Sequence, residues 1–115
     1  MKYFKGKKYK WIRGKSYEKK IILEKLEDKI NLVEEVIIEP LGSIPPHKHQ
    51  FTSEIFYILE GNGVLKLKDK EVEIFRGDLI KIDKEELHAF RNKKNSPFRM
   101  FCFKINFREG DSYLG

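Results

Sequence analysis

Residues 45–54 read PPHKHQFTSE. Two of the chain's three histidines, His47 and His49, stand one residue apart here, and Glu54 follows five positions on. In an extended chain alternate side chains share a face, so His47 and His49 point one way and Lys48 the other. On a helix the same pair would diverge by about 200°. The pair can therefore act together only on a strand. Pro45-Pro46 favours that conformation, because proline fixes φ and keeps its predecessor out of the helical region. The connection Gln50–Ser53 is short enough to fold Glu54 back beside the histidines. His88, the third histidine, lies in another strand-like run, LHAF. Three imidazole nitrogens and one carboxylate suit a borderline divalent transition metal such as Mn, Fe, Ni, Co or Zn. They suit calcium or magnesium poorly, since those ions prefer oxygen shells. The competing reading is a pair of exposed polar histidines, which H-x-H alone does not exclude.

The surrounding chain reads as short strands cut by turns. Asn31–Glu39 is strand-like and stops at Pro40. Glu54–Glu60 (EIFYILE) leads into Gly61-Asn62-Gly63, a hairpin signal. Val64–Lys68 alternates, Asp69-Lys70 turns into Glu71–Phe75, and Gly77-Asp78 turns into Leu79–Ile82. Leu87–Phe90, a polar loop over 91–97 and a long strand Phe98–Phe107 complete the series. Ser16–Leu26 is the best helical candidate, although its consecutive Ile21, Ile22 and Leu23 suit a strand equally. This spacing predicts an all-β sandwich or barrel. On the last strand Phe101, Phe103, Ile105 and Phe107 share the face expected to enter the core. Met100, Cys102 and Lys104 share the other. Were that second face inward, Lys104 would be placed to hold a carboxylate or phosphate. The last strand and EIFYILE are apolar on both faces, and a barrel interior buries only one. The other is expected to meet a second subunit, giving a homodimer.

Composition narrows the classes. The chain has 115 residues, enough for one domain, and 40% of them are hydrophobic, enough for one core. The net charge of +6 is spread along the chain rather than packed in a block. Its densest run, residues 2–15, interleaves lysines with Tyr3, Phe4, Tyr9 and Trp11. A solvated strand face explains that run better than a nucleic-acid patch, since no nucleic-acid motif follows. Lys and Glu are abundant while Gln occurs once, the balance of heat-adapted proteins. The sole cysteine, Cys102, cannot form an internal disulfide, which suits a reducing cytoplasm. The first residues hold no signal-like apolar run, and no stretch approaches the roughly 18 apolar residues of a membrane span.

Two segments resemble the paired motifs of the cupin superfamily. Gly42, His47-Lys48-His49, Glu54 and Gly61 match the first, with the gaps after H-x-H and after Glu54 in register and the leading gap one residue short. Gly77, His88 and Asn92 match the second, with Asp83 in place of the usual proline and Glu85 in place of the usual glycine. All three histidines fall on family ligand positions. The resemblance implies a single-domain small cupin over 1–115, of the cupin 2 type and similar to mannose-6-phosphate-isomerase-like members. Its fold would be a double-stranded β-helix, or jelly-roll barrel, with residues 1–30 near a dimer contact. His47, His49, Glu54 and His88 would be the metal ligands. By strand parity Phe56, Ile58 and Phe90 would line the cavity, with Tyr57 and Lys48 turned away and Asn92 structural. Cys102 reads as a small buried hydrophobe, with no spare histidine to activate it.

Small cupins include isomerases and epimerases, dioxygenases and decarboxylases. The expected function is a metal-dependent enzyme of these types acting on a small polar or sugar-like substrate. The alternative is a non-catalytic module that binds or senses a sugar or anion. Sensor members often carry a helix-turn-helix, for which 115 residues leave no room.

Overall fold

The computed structural model describes residues 1, 3, 5–24 and 30–114. Phe4, in the N-terminal basic run, and the last two residues of the Ser16–Leu26 candidate lie outside the described residues. The strands in chain order are β1 (Ile12–Arg13), β2 (Tyr17–Glu24), β3 (Ile30–Ile38), β4 (Ser43–Lys48), β5 (Ser53–Glu60) and β6 (Asn62–Leu67). They continue as β7 (Glu71–Phe75), β8 (Leu79–Ile82), β9 (His88–Arg91), β10 (Phe98–Ile105) and β11 (Tyr113–Leu114). One 3-10 turn, Gly6–Lys8, is the only helical element among the described residues. The helix-or-strand ambiguity at Ser16–Leu26 resolves as β2, because β3 offers it an antiparallel partner from Tyr17↔Ile38 to Glu24↔Leu32.

Two antiparallel sheets carry the architecture. One runs β1-β2-β3-β10-β5-β8 and the other β11-β4-β9-β6-β7. The core gathers residues from both, including Val36, Ile38, Ile44, Phe56, Ile58, Leu65, Ile74, Phe90, Phe98 and Met100. This is the two-sheet jelly-roll arrangement expected from the sequence.

The Gly61-Asn62-Gly63 turn is not a hairpin. β5 and β6 belong to different sheets, and Gly61, at φ +81°, carries the chain from one to the other. A Cβ at Gly61 would sit 2.7 Å from the Pro97 carbonyl oxygen. Left-handed turn chemistry reverses the chain but does not choose which strand receives it. The true hairpin partner of β6 is β7, reached through Asp69-Lys70.

The last strand also differs from expectation. It ends at Ile105, where Asn106 adopts φ +58°, and its inward face is the opposite one. Phe98, Met100, Cys102 and Lys104 are buried, while Phe101, Phe103 and Ile105 are half-buried on the outer surface. Register gives the reason. Met100 lies between Val36 and Ile58, and Cys102 lies between Glu34 and Phe56. Those neighbours already fill the interior, so the slimmer side chains fit and a second row of phenyl rings would not. Val33, Ile37, Ile55, Tyr57, Leu59, Phe101 and Phe103 form the outer face of the same three strands, all half-buried apart from exposed Tyr57.

Candidate metal centre

A bulge at Pro45-Pro46 aims the first histidine. β4 pairs with β9 as Ile44↔Phe90 and then His47↔His88, so β4 spends one more residue than β9 between those pairs. Ile44 and Phe90 are buried. Strict alternation from Ile44 would turn His47 outward, since the side-chain period is two. The extra residue restores His47 to the interior. Two prolines occupy that step because neither has an N–H to give to a ladder the bulge interrupts. Lys48 then faces solvent and His49 is buried, as H-x-H predicts. Glu54 opens the inward row of β5, ahead of Phe56 and Ile58, and His88 opens β9.

These elements bring all four expected side chains together. His47, His49, Glu54 and His88 each offer one ligand atom, all within 4.8 Å of one another. Glu54 Oε1 lies 2.8 Å from His49 Nε2 and 3.0 Å from His88 Nε2. The His47 and His88 ring centroids are 4.3 Å apart.

The far side of each ring is held by the backbone. His47 Nδ1 donates to the Pro45 carbonyl at 2.8 Å, His88 Nδ1 to Glu86 O at 2.9 Å and His49 Nδ1 to Asp111 O at 2.5 Å. With Nδ1 committed as donor, a neutral imidazole turns a lone pair at Nε2 toward the cluster. His49 Nε2, His88 Nε2 and Glu54 Oε1 are buried without a hydrogen-bond partner. Acceptors converging in a buried space repel unless a cation lies among them. A divalent transition metal fits that donor set, with the backbone carbonyls fixing tautomer and ring orientation.

Protonation follows the same geometry. Burial pushes His47 down to about 4, so it stays neutral at physiological pH. For Glu54 burial acts upward, but His49, His88 and Lys104 outweigh it and hold the carboxyl well below its ordinary value. For His49 burial acts downward, and the Glu54 carboxylate reverses it to a net rise.

Phe56, Ile58 and Phe90, expected to line the cavity, turn inward and are buried, and none of them lines the cleft at His47. Phe56 stacks edge-on to Phe90 with centroids 4.8 Å apart, and both rings lie beside His88 at 6.5 and 6.2 Å. Ile58 is deeper in the hydrophobic core. A cleft that meets the cluster at His47 has a volume of about 180 Å³ and is lined by Tyr17, Lys19, Ile44, Pro45, His47, Ser112 and Leu114. Asn92 is structural: its amide donates to the carbonyls of Ile38, Glu39 and Ser96, and its oxygen accepts the Lys94 N–H.

Three features depart from the sequence expectations or go beyond them. Cys102 Sγ donates to Glu54 Oε2 at 3.2 Å. Burial, then Glu54 and Glu34, push that thiol well above its ordinary value, so it serves as a donor and not a nucleophile. Lys104, on the face expected to point outward, is buried with Nζ 3.4 Å from Glu34 Oε1. Asp111, past the last long strand, accepts backbone N–H groups from Gln50, Phe51 and Thr52 and the Thr52 hydroxyl. Only the Gly110-Asp111 turn signal was available to mark it.

Glu85 stands where related motifs carry glycine, and it holds φ +66°. Its N–H donates to the His49 carbonyl, so the turn is fastened to the site. Left-handed backbone costs a non-glycine residue about 1–2 kcal/mol, partly offset by the greater unfolded-state entropy of glycine. Glu85→Gly is therefore expected to raise stability by about 0.5–1 kcal/mol. Urea midpoints at unchanged slope would show this, and a lowered midpoint would refute it.

The cupin domain family matches residues 34–104. The chain is 36% identical over 82 residues to an oxalate-binding protein of Thermotoga maritima, covering 71% of this chain and 68% of that protein. It is 39% identical over 66 residues to an uncharacterized protein of Methanocaldococcus jannaschii, covering 56% of this chain and spanning about half of that relative's length, 53%. Among solved structures, a predicted oxalate decarboxylase of Thermotoga maritima superposes with TM-score 0.83 at 26% identity, over 92% of this chain and all of that one. The polyketide cyclase RemF of Streptomyces resistomycificus gives 0.82 at 26% identity, over 99% of this chain and 84% of that one. The matched segment begins at Glu34 on β3, ends at Lys104 on β10 and encloses the whole His/Glu cluster; with the two-sheet fold around it, the chain belongs to the cupin family.

Proposed function

We propose that this cupin holds one divalent transition metal on His47, His49, Glu54 and His88 and takes a small carboxylate as its ligand. The observation that carries this reading is the convergence of buried, unpartnered acceptors whose Nδ1 atoms are all committed to carbonyls. The oxalate named for one relative supports the ligand class. The cleft supports its size, since about 180 Å³ has room for roughly six waters. When bound, the ion supplies a Lewis acid. The protein positions it: three carbonyls orient the imidazoles, Cys102 orients Glu54, and Phe56 and Phe90 form a dry wall beside His88. The enzymatic form of this reading is a decarboxylase-, dioxygenase- or isomerase-type conversion of the bound acid. The non-catalytic form holds the acid without converting it.

Metal analysis of natively purified protein tests the reading, followed by calorimetric titration with oxalate before and after chelation. The expected result is close to one equivalent of Mn, Fe, Co, Ni or Zn per chain and oxalate binding that chelation abolishes. Less than about half an equivalent, with binding indifferent to chelation, would remove it. Product analysis of the same samples separates conversion from binding.

The outer apolar face of β3, β10 and β5 supports a homodimer, because contiguous apolar surface of this kind is costly in a monomer. Light scattering at micromolar concentration would return a single-chain mass if this part is wrong. A reducing cytoplasm fits the buried, unpaired Cys102. Among the described residues no helix is long and apolar enough to cross a membrane.

A further inference from the structure

A charged track runs along the inner wall of the larger sheet, from the cleft to the metal centre. Tyr17 and Lys19 on β2 face the same side as their register partners Ile38 and Val36, which are core residues. Lys19 lines the cleft together with His47. Its Nζ is 3.8 Å from Glu34 Oε1, the same oxygen that lies 3.4 Å from Lys104 Nζ. Lys104 in turn is the register partner of Glu54. Lys20 and Glu35 form a separate pair on the opposite face of the sheet, where Arg99 also binds Glu35.

The two lysines are unequal. Lys104 is buried, held by Glu34, and has Nζ 5.4 Å from the Phe107 ring centroid. Lys19 is half-exposed and shares an oxygen already nearer to Lys104, at a separation too long for a hydrogen bond. Its ammonium donors are thus left for something in the cleft. Tyr17 steadies it, with Nζ 5.7 Å from the ring centroid. Charge balance points the same way. Among the residues whose side chains are described, Glu54 and Glu34 are the buried carboxylates on this inner wall. A divalent ion on the cluster, together with Lys104 and Lys19, leaves positive charge in surplus, which an anionic group in the cleft would neutralise.

We propose that Lys19 is a specificity-determining residue that binds the far anionic end of a small ligand whose near end sits at the metal centre. Glu34 and Lys104 are positioning residues: Glu34 keeps the Lys19 head near the inner wall, and Lys104, closer to the same oxygen, leaves that head uncommitted. The ligand class this selects is a short dicarboxylate over a monocarboxylate. The inference rests on the metal reading above and narrows its ligand class from small carboxylates to short dicarboxylates.

The test uses Mn(II)-loaded full-length protein and two probes, glycolate and tartronate. They share an α-hydroxycarboxylate and differ by a second carboxylate. Affinities are measured calorimetrically for wild type, Lys19→Met and Lys19→Arg, with metal content determined for each. Lys19→Met keeps the apolar stem against Tyr17 and removes only the charge. The expected result is unchanged metal content and glycolate affinity in Lys19→Met, with tartronate weakened about tenfold or more, the scale of a lost hydrogen bond between charged groups. Lys19→Arg should recover most of that loss. Unchanged tartronate affinity, or a parallel fall for both probes, overturns the role of Lys19 while leaving the metal reading intact. If wild type binds neither acid, this inference fails while metal content still decides the metal reading; if both acids bind equally well after chelation, the metal reading fails and this inference with it.

Discussion

Glu54→Ala is expected to erase the metal-dependent part of this protein's stability. Glu54 supplies the only carboxylate of the cluster and touches both His49 and His88. Without it three neutral imidazoles remain, and no anion offsets the ion's charge in a buried site. A ligand that binds only the folded state stabilises it by about 2.7 kcal/mol at a concentration 100 times its Kd. In a chain of this length that corresponds to a melting shift of about 10 °C. Wild type should show that difference between metal-saturated and chelated samples, and Glu54→Ala a difference under about 2 °C. Glu54→Gln, which keeps shape and one carbonyl oxygen but not the charge, should fall between. An equal metal-induced shift in wild type and Glu54→Ala would mean the ion binds elsewhere.

Asp111→Ala should produce the largest loss of intrinsic stability. The carboxylate accepts three consecutive backbone N–H groups, from Gln50, Phe51 and Thr52 at 2.8, 2.9 and 3.0 Å, and the Thr52 hydroxyl at 2.9 Å. Those amides form the connection that sets Glu54 against His49. Thr52 is fully buried, so its N–H loses its partner while its hydroxyl keeps the Asn106 carbonyl at 3.3 Å, and the half-exposed Phe51 and exposed Gln50 can reach water. At about 1–3 kcal/mol for the buried Thr52 N–H left unmade and about 1 kcal/mol for each of the two hydrogen bonds exchanged for water, the change costs about 3–4 kcal/mol. The melting temperature should fall by about 12–16 °C. Metal affinity should drop about 10- to 100-fold, because the carboxylate anchors the turn whose backbone carbonyl, kept in the variant, orients the His49 ring. A melting temperature within about 2 °C of wild type would contradict this account.

The same residue sets an acid limit. Burial acts to raise the Asp111 pKa, but the Phe51 and Gln50 N–H groups outweigh it and the net shift is downward. A depressed carboxylate pKa contributes stability that is complete above the unfolded value. That stability is lost as pH falls through the folded value. Wild type and Asp111→Ala should therefore converge in melting temperature as pH is lowered from about 5 toward about 2.

Much of the site was legible in one dimension because its constraints are local or periodic. H-x-H on an extended chain is a statement about parity, and parity needs only the strand. The spacing of His47, His49, Glu54, His88 and Asn92 carried the cupin resemblance, and all of them turn inward as expected. The alternation of Glu54, Phe56 and Ile58 against Ile55, Tyr57 and Leu59 also survived folding unchanged.

What escaped was long-range. Alternation says which residues of β10 share a face, but the side that enters the core is decided by Val36, Phe56 and Ile58 across the sheet. The Gly61 turn announced itself, while its receiving strand depended on sheet order. Asp111 acts on residues about sixty positions earlier, a relation no local window contains.

By itself, then, the sequence determined most of the strands and their periodicity, which follow from backbone chemistry over a few residues, while the four converging side chains came from the resemblance of two motif spacings to the cupins. Tertiary structure alone decided which face of β10 is inside, how the Pro45-Pro46 bulge restores His47 to the interior, and that Lys19, Glu34 and Lys104 meet on one wall. Those outcomes turn on volume, register and charge contributed by strands distant in the chain, and they exist only once the sheets have closed.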